Sequence, residues 1–268
     1  MTTRSPQTVP EAPTVSEAAL EERRAAGRAL DEALRARGLH PLLRIGTTAG
    51  HAVTVTITAS TPFWNGPEHA TVPAPDEARA LEQALLAQDI KAQARAIGDV
   101  EPAMEIRLHS CRDAHRLAGL VMEHLPEAHA AAHRLRTALA TVGIEAENLR
   151  PKGGQVDVNV ISAVEAITLV RVLGFTGCDG LDPHDGAHLE SITTCLGQTL
   201  RHVLGCFVDV MACYGACSSC GRPHEVTVGP VSPGTALQLA DAVTATASKP
   251  LEGDPADAAP RADDGRRA

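Results

Sequence analysis

EIRLHSCRDAHRLAGLV (Glu105–Val121), VDVNVISAVEAITLVRVL (Val156–Leu173) and EVTVGPVSPGTALQLADAV (Glu225–Val243) share one local pattern. A short alternating segment comes first, then a serine, then a helical stretch. Ser110, Ser162 and Ser232 each stand three residues before Asp113, Glu165 and Thr235, and each of those is followed by Ala and, three residues further on, by Leu. A serine hydroxyl can accept a hydrogen bond from an otherwise unpaired N–H of the first helical turn, and a carboxylate at the third helical position can accept one from the backbone of the serine. Each serine is therefore expected to start a helix. Ahead of them Ile106/Leu108, Val156/Val158/Val160 and Val226/Val228 alternate with polar residues, which predicts strands with one buried face.

Working outward, VTVTIT (Val53–Thr58) and PDEARALEQALL (Pro75–Leu86) form a looser fourth copy, separated by an insertion that contains Phe63 and Trp64. LDEALRARGL (Leu30–Leu39) and LRTALATVGI (Leu135–Ile144) both read Leu-x2-Ala-Leu-x3-Gly-apolar, so Gly38 and Gly143 are expected to end helices in the left-handed conformation. The expected class is α+β: short-strand sheets packed with amphipathic helices, with α-β-β-α-like modules possibly duplicated, and a long C-terminal core helix. The expected organisation is a disordered tail over 1–16, an N-terminal module over 17–118, a C-terminal module over 119–248 and a disordered tail over 249–268.

Hydrophobic residues make up 44% of the 268 and charged residues 21%, the composition of a chain that packs a core. Aromatics are only 2%, so Leu, Val, Ile and Ala must fill that core and stacking platforms for bases are scarce. A formal net charge of -9 opposes contact with nucleic-acid phosphates. The amino terminus lacks the pattern of a secretory signal, and no run of about 18 apolar residues suggests a membrane span. Seven cysteines, an odd number bunched toward one end, fit a reducing compartment better than a disulfide framework, and the expected location is the cytoplasm.

Residues 189–214 (LESITTCLGQTLRHVLGCFVDVMACY) are expected to form one long helix, apolar almost all round from Val203 onward, serving a core or a contact with a protein partner or a second copy. CYGACSSCGRPHE follows, with Cys213, Cys217, Cys220 and His224 spaced as a compact Cys3His set. Three thiolates and an imidazole suit tetrahedral zinc. Two competing uses of these cysteines are a Cys217/Cys220 redox pair and an iron–sulfur cluster with Cys206 as fourth ligand. The Cys-x3-Cys-x2-Cys spacing resembles the cluster motif of radical S-adenosylmethionine enzymes, but the barrel that follows the motif in that family has no room here.

CDGLDPHDGAH carries Asp179, Asp182, His184, Asp185 and His188 in a Gly/Pro-rich loop, a density of ligands able to hold a water-activating divalent ion. The same residues suit a solvated turn that caps the next helix. His184-Asp185 resembles the dipeptide of HD-type phosphohydrolases, whose all-helical frame conflicts with the strand expected at Val156–Val160. His129 and His133 sit four apart on an expected helix, and Cys111, Cys178 and Cys195 read as small buried residues. No phosphate-binding glycine loop and no Gly-x-Ser-x-Gly elbow occurs. The expectation is a non-enzymatic cytosolic binding or regulatory protein with a structural zinc site at Cys213, Cys217, Cys220 and His224. The alternatives are a metal-dependent hydrolase using the loop 179–188 and a thiol-redox or iron–sulfur protein.

Overall fold

The structure, a computed structural model, describes residues 15–48, 50–58, 75–97, 103–146, 148–215 and 224–247. The insertion with Phe63 and Trp64, and both tails apart from Val15 and Ser16, lie outside them. The chain divides into two compact units, with the division between Ala130 and Ala131.

Unit 1 runs α1 (Glu17–Ala36), β1 (Pro41–Ile45), β2 (Val53–Thr58), α2 (Pro75–Ala87), β3 (Ala92–Ile97), β4 (Ala103–Leu108) and α3 (Cys111–Glu123). Its four strands form one antiparallel sheet in the order β1-β2-β4-β3. Register puts Leu43, Val55, Ile106 and Ala94 in one row and Ile45, Val53, Leu108 and Ala92 in the next. Because side chains alternate across a strand, these rows form a single apolar face. It packs against Leu30 and Leu34 of α1, Leu85 of α2, and Ala114 and Leu117 of α3. The other face carries Thr54, Thr56, Arg44, Arg95, Glu105 and Arg107, as expected of an antiparallel sheet with helices on one side.

Unit 2 contains α4 (Glu127–Thr141, whose first turn precedes the division), β5 (Arg150–Lys152), β6 (Gln155–Asp157), β7 (Asn159–Ser162), α5 (Ala163–Val172), α6 (Gly186–Leu204), β8 (Val210–Cys213), β9 (Glu225–Val228) and α7 (Pro233–Ala247). β7-β9-β8 is an antiparallel sheet and β5-β6 a hairpin, with an isolated bridge between Val156 and Val231. Ile161, Val226 and Val228 point into a core shared with Leu135, Leu139, Ile167, Leu189, Ile192, Leu196 and Leu200. The α+β class holds, with seven helices and antiparallel sheets among the described residues.

All three serines start helices. Ser110 and Ser162 accept from the N–H of Asp113 and Glu165 at 3.1 and 3.2 Å, and both carboxylates accept from the serine N–H in return, completing two capping boxes. Ser232 accepts from Thr235 N–H at 3.1 Å. The Ala and Leu of each copy, Ala114/Leu117, Ala166/Leu169 and Ala236/Leu239, are all buried. Gly38 and Gly143 have φ of 84° and 75°. In both turns the next N–H reaches back to close a Schellman motif, Leu39 to the Leu34 carbonyl and Ile144 to that of Leu139.

Two expectations are corrected. The long helix stops at Leu204, because Gly205 takes φ 66° as its left-handed cap, and the chain then returns as strand β8. The strand expected through Val156–Val160 breaks at Val158, because Asn159 adopts φ 65° and separates β6 from β7.

Candidate functional site

The Cys/His segment begins on β8 and ends at the start of β9, and strand alternation decides what it can do. Cys213 lies opposite Glu225, and its Sγ is 3.1 Å from Thr227 Oγ1, so it faces the open side of the sheet. His224 precedes Glu225 and points to the other side. It is buried, lies edge-on to Tyr214 at 6.1 Å between centroids, and stands so near the first turn of α6 that a Cβ on Gly186 would come within 3.4 Å of its Nε2. Its Nδ1 is buried without a partner. Cys217 and Cys220 lie outside the described residues.

Among the described residues no group of three His, Cys, Asp or Glu side chains could hold a metal ion. The zinc expectation is therefore corrected, and with it the binding protein built on a Cys3His site: the two described members, Cys213 and His224, face opposite sides of one sheet and cannot share an ion. The same finding removes the hydrolase; the redox and iron–sulfur readings rest on Cys217 and Cys220, which lie outside the described residues. Every residue of the Asp/His loop is described, and the side chains of Asp179, Asp182, Asp185 and His188 are engaged in local bonds. Asp185 caps α6 by accepting from Ala187 N–H at 2.9 Å, and Asp182 Oδ1 accepts from His184 N–H at 2.9 Å. His188 Nδ1 accepts from Asp182 N–H at 3.0 Å, and Asp179 pairs with Arg171 at 3.1 Å.

Of the three cysteines expected to be small buried residues, Cys178 is buried, while Cys111 and Cys195 are only partly buried. Cys178 is fully buried and hydrogen-bonded to Cys195; burial first, and this neighbour second, push its thiol up to about 12, so it stays protonated and unreactive. His129 stands against Gly38 with its Nδ1 buried and unpaired, and burial, followed by the Arg37 charge, holds it below the usual histidine range.

Glu105 is buried in the middle of the polar face of unit 1. Its Oε1 accepts from Arg95 Nε at 2.7 Å and from Arg107 Nε at 2.8 Å. Burial opposes its charge, but the bonds and charges of Arg95 and Arg107 together prevail and hold its carboxyl below the usual range. Arg107 stands two residues from Glu105 on the same strand, whereas Arg95 joins them only through the pairing of β3 with β4, a register that no local spacing announces.

A second exposed feature surrounds β8. Phe207 is 79% exposed, Met211 53% and Tyr214 63%. They fall within eight residues, at the strand that ends the unit 2 sheet. Met211 lies on the open face of this edge strand, whereas Tyr214 turns to the side of α6, where its hydroxyl donates to Glu190 at 2.7 Å.

No protein-family model matches this chain, and neither a curated protein nor a solved structure matches it. Among the described residues no helix is long and apolar enough to cross a membrane.

Proposed function

We propose that this chain is a non-catalytic assembly module whose subunits join edge to edge through β8. The observation that carries it is the exposed Met211 on the open face of the terminal strand β8, with Phe207 exposed just ahead of it. Natural edge strands are blunted by lysine, proline, bulges or inward charges. From Val210 to Cys213 there is no charge and no proline. The opposite margin of the same sheet is blunted, since β7 opens on Asn159 in the left-handed conformation.

A second copy is the occupant favoured by the pairing rule of this molecule, because every strand pair in both sheets is antiparallel and an antiparallel pair of identical strands closes about a twofold axis. An axis perpendicular to the sheet keeps both open faces on one side, brings Met211 of each copy beside the other, and joins two three-stranded sheets into six strands. The apolar residues of α6 are not available for such a seam, since Leu189, Ile192, Leu196 and Leu200 are all in the core of their own unit.

Support for reading the two units as copies of one ancestral module comes from their matching helix ends at Gly38 and Gly143, and from the parallel orders β2-β4-β3 and β7-β9-β8. Under that reading the copies diverged in what their sheets present outward.

Sedimentation equilibrium of the full chain at micromolar concentration tests the assembly. The wild type is expected to be a dimer, and Met211→Lys, which places a charge on the seam, a monomer with an unchanged circular dichroism spectrum. A wild type that stays monomeric, or a Met211→Lys variant that stays dimeric, ends the proposal.

A further inference from the structure

The polar face of the unit 1 sheet gathers positive charge in a protein whose net charge is -9. Register aligns Arg44, Thr54, Arg107 and Gln93 in one row across the four strands, and Leu42, Thr56, Glu105 and Arg95 in the next. Alternation places all eight side chains on the face away from the helices. His109 follows at the end of β4, and its ring lies 5.0 Å from that of His51, whose Nε2 is 3.3 Å from Gln93 Oε1. Glu105 is the one acid in this group.

How Glu105 is used matters more than the charge count. Its Oε1 takes the Nε of both Arg95 and Arg107, at 2.7 and 2.8 Å. A guanidinium anchored at Nε has its rotation fixed and its outer donors left for another acceptor. Arg44 has no ion pair among the described residues and stands in the same row as Arg107, with the Thr54 strand between them. Guanidinium donors match the spacing of phosphate oxygens in two-point contacts, and ones already held in place lose less freedom on binding. Three guanidiniums exceed what one carboxylate's two oxygens can occupy but suit a tetrahedral group with three terminal oxygens. The face has no Trp, Tyr or Phe in these rows to stack a base, so recognition would centre on the anion. The positive potential also registers at His51, where burial first, then the charges of His109 and Arg107, hold the imidazole below its usual range.

We propose that this face binds a phosphate group through Arg44, Arg95 and Arg107, with Glu105 as the positioning residue.

Calorimetric titration of the full chain with inorganic phosphate at fixed ionic strength, beside acetate, tests this, with the arginine Nε–H resonances followed by NMR. Saturable phosphate binding that moves the Arg95 and Arg107 signals is expected, and Arg44→Gln, which leaves the Glu105 cluster intact, should weaken it about tenfold, the loss of one charged hydrogen-bonding partner. Glu105→Gln separates positioning from simple attraction. It raises the local positive charge, so a diffuse basic patch would bind phosphate more tightly, whereas a positioned site binds more weakly. Tighter binding by Glu105→Gln, unchanged affinity in Arg44→Gln, acetate binding as strong as phosphate, or no saturable binding would each overturn the proposal.

Discussion

In unit 1 the outer strands carry Pro41 and Arg44 on one side and Gln93 and Arg95 on the other, whereas β8 in unit 2 carries no charge and leaves Met211 exposed. Both sheets turn an apolar face to their helices and use the same strand–cap–helix connections, so the inner architecture does not account for this contrast. The difference lies where folding imposes least: on open faces and edges. Unit 1 places charge there, which both blocks strand addition and creates a surface for an anion. Unit 2 has no charge or proline from Val210 to Cys213 on its edge strand.

The largest expected effects probe the shared interior. Leu30 on α1 and Leu135 on α4 hold matching places in the Leu-x2-Ala-Leu-x3-Gly pattern, and both are fully buried. Truncating either to Ala is expected to cost about 2–5 kcal/mol. Hydrogen exchange should show Leu30→Ala lowering protection in β2 and β4, and Leu135→Ala in β7 and β9. A variant that loosens both sheets equally would mean the two cores are not separate.

Next come the capping carboxylates. Asp113 accepts from Ser110 N–H at 3.0 Å and, with its other oxygen, from Lys91 N–H at 3.0 Å. Glu165 does the same with Ser162 N–H at 2.7 Å and Glu145 N–H at 3.0 Å. Each carboxylate therefore ties a helix start to a backbone segment outside it. Asp113→Ala and Glu165→Ala should each cost about 2 kcal/mol, more than the ~1 kcal/mol expected for Ser110→Ala or Ser162→Ala, because an outside N–H also loses its acceptor. Thr235 offers no carboxylate, so Ser232→Ala should cost least of the serine changes. Denaturant melts of the five variants check that order; equal losses at Asp113 and Ser110 would show that the Lys91 bond contributes nothing.

What could be read from sequence follows the range of the forces involved. The serine caps, the glycine helix ends and β2, whose bounds Val53–Thr58 match the alternating segment, depend on contacts within a few residues. β3 (AQARAI) escaped because alanine stands where β-branched residues usually mark a strand, and β1 because its five residues follow a helix end with little alternation. The long helix was over-read because apolar residues continue past Gly205 into β8; the glycine, with Arg201 and His202 in the last turn before it, was the available stop signal. The metal site failed for a different reason. Cys213 and His224 look close along the chain, but Cys213 lies on β8 and His224 directly precedes β9, so strand parity sets their directions. Conversely Arg95 reaches Glu105 through strand register, and Cys178 meets Cys195 through tertiary packing of a loop on α6.

The smallest expected effect contrasts the units by pH. In unit 1, Glu105 is held below its ordinary value of 4.5, so its contribution is present above that value and is lost as pH falls through the folded value. In unit 2, Cys178 is raised from 9.0 to about 12, so burial of the neutral thiol favours the fold fully below 9.0, and this contribution is lost as pH rises through 9.0 toward 12. Acid should therefore loosen the β1–β4 sheet first, and alkali the core around α6. Cys178→Ala should cost about 1 kcal/mol near neutrality through lost packing. The gap from wild type should close with rising pH, since alanine has no proton to lose. Thermal melts of both proteins from neutral pH to pH 11 measure it. A gap that stays constant across that range would mean that ionisation of Cys178 is not what limits unit 2 in alkali.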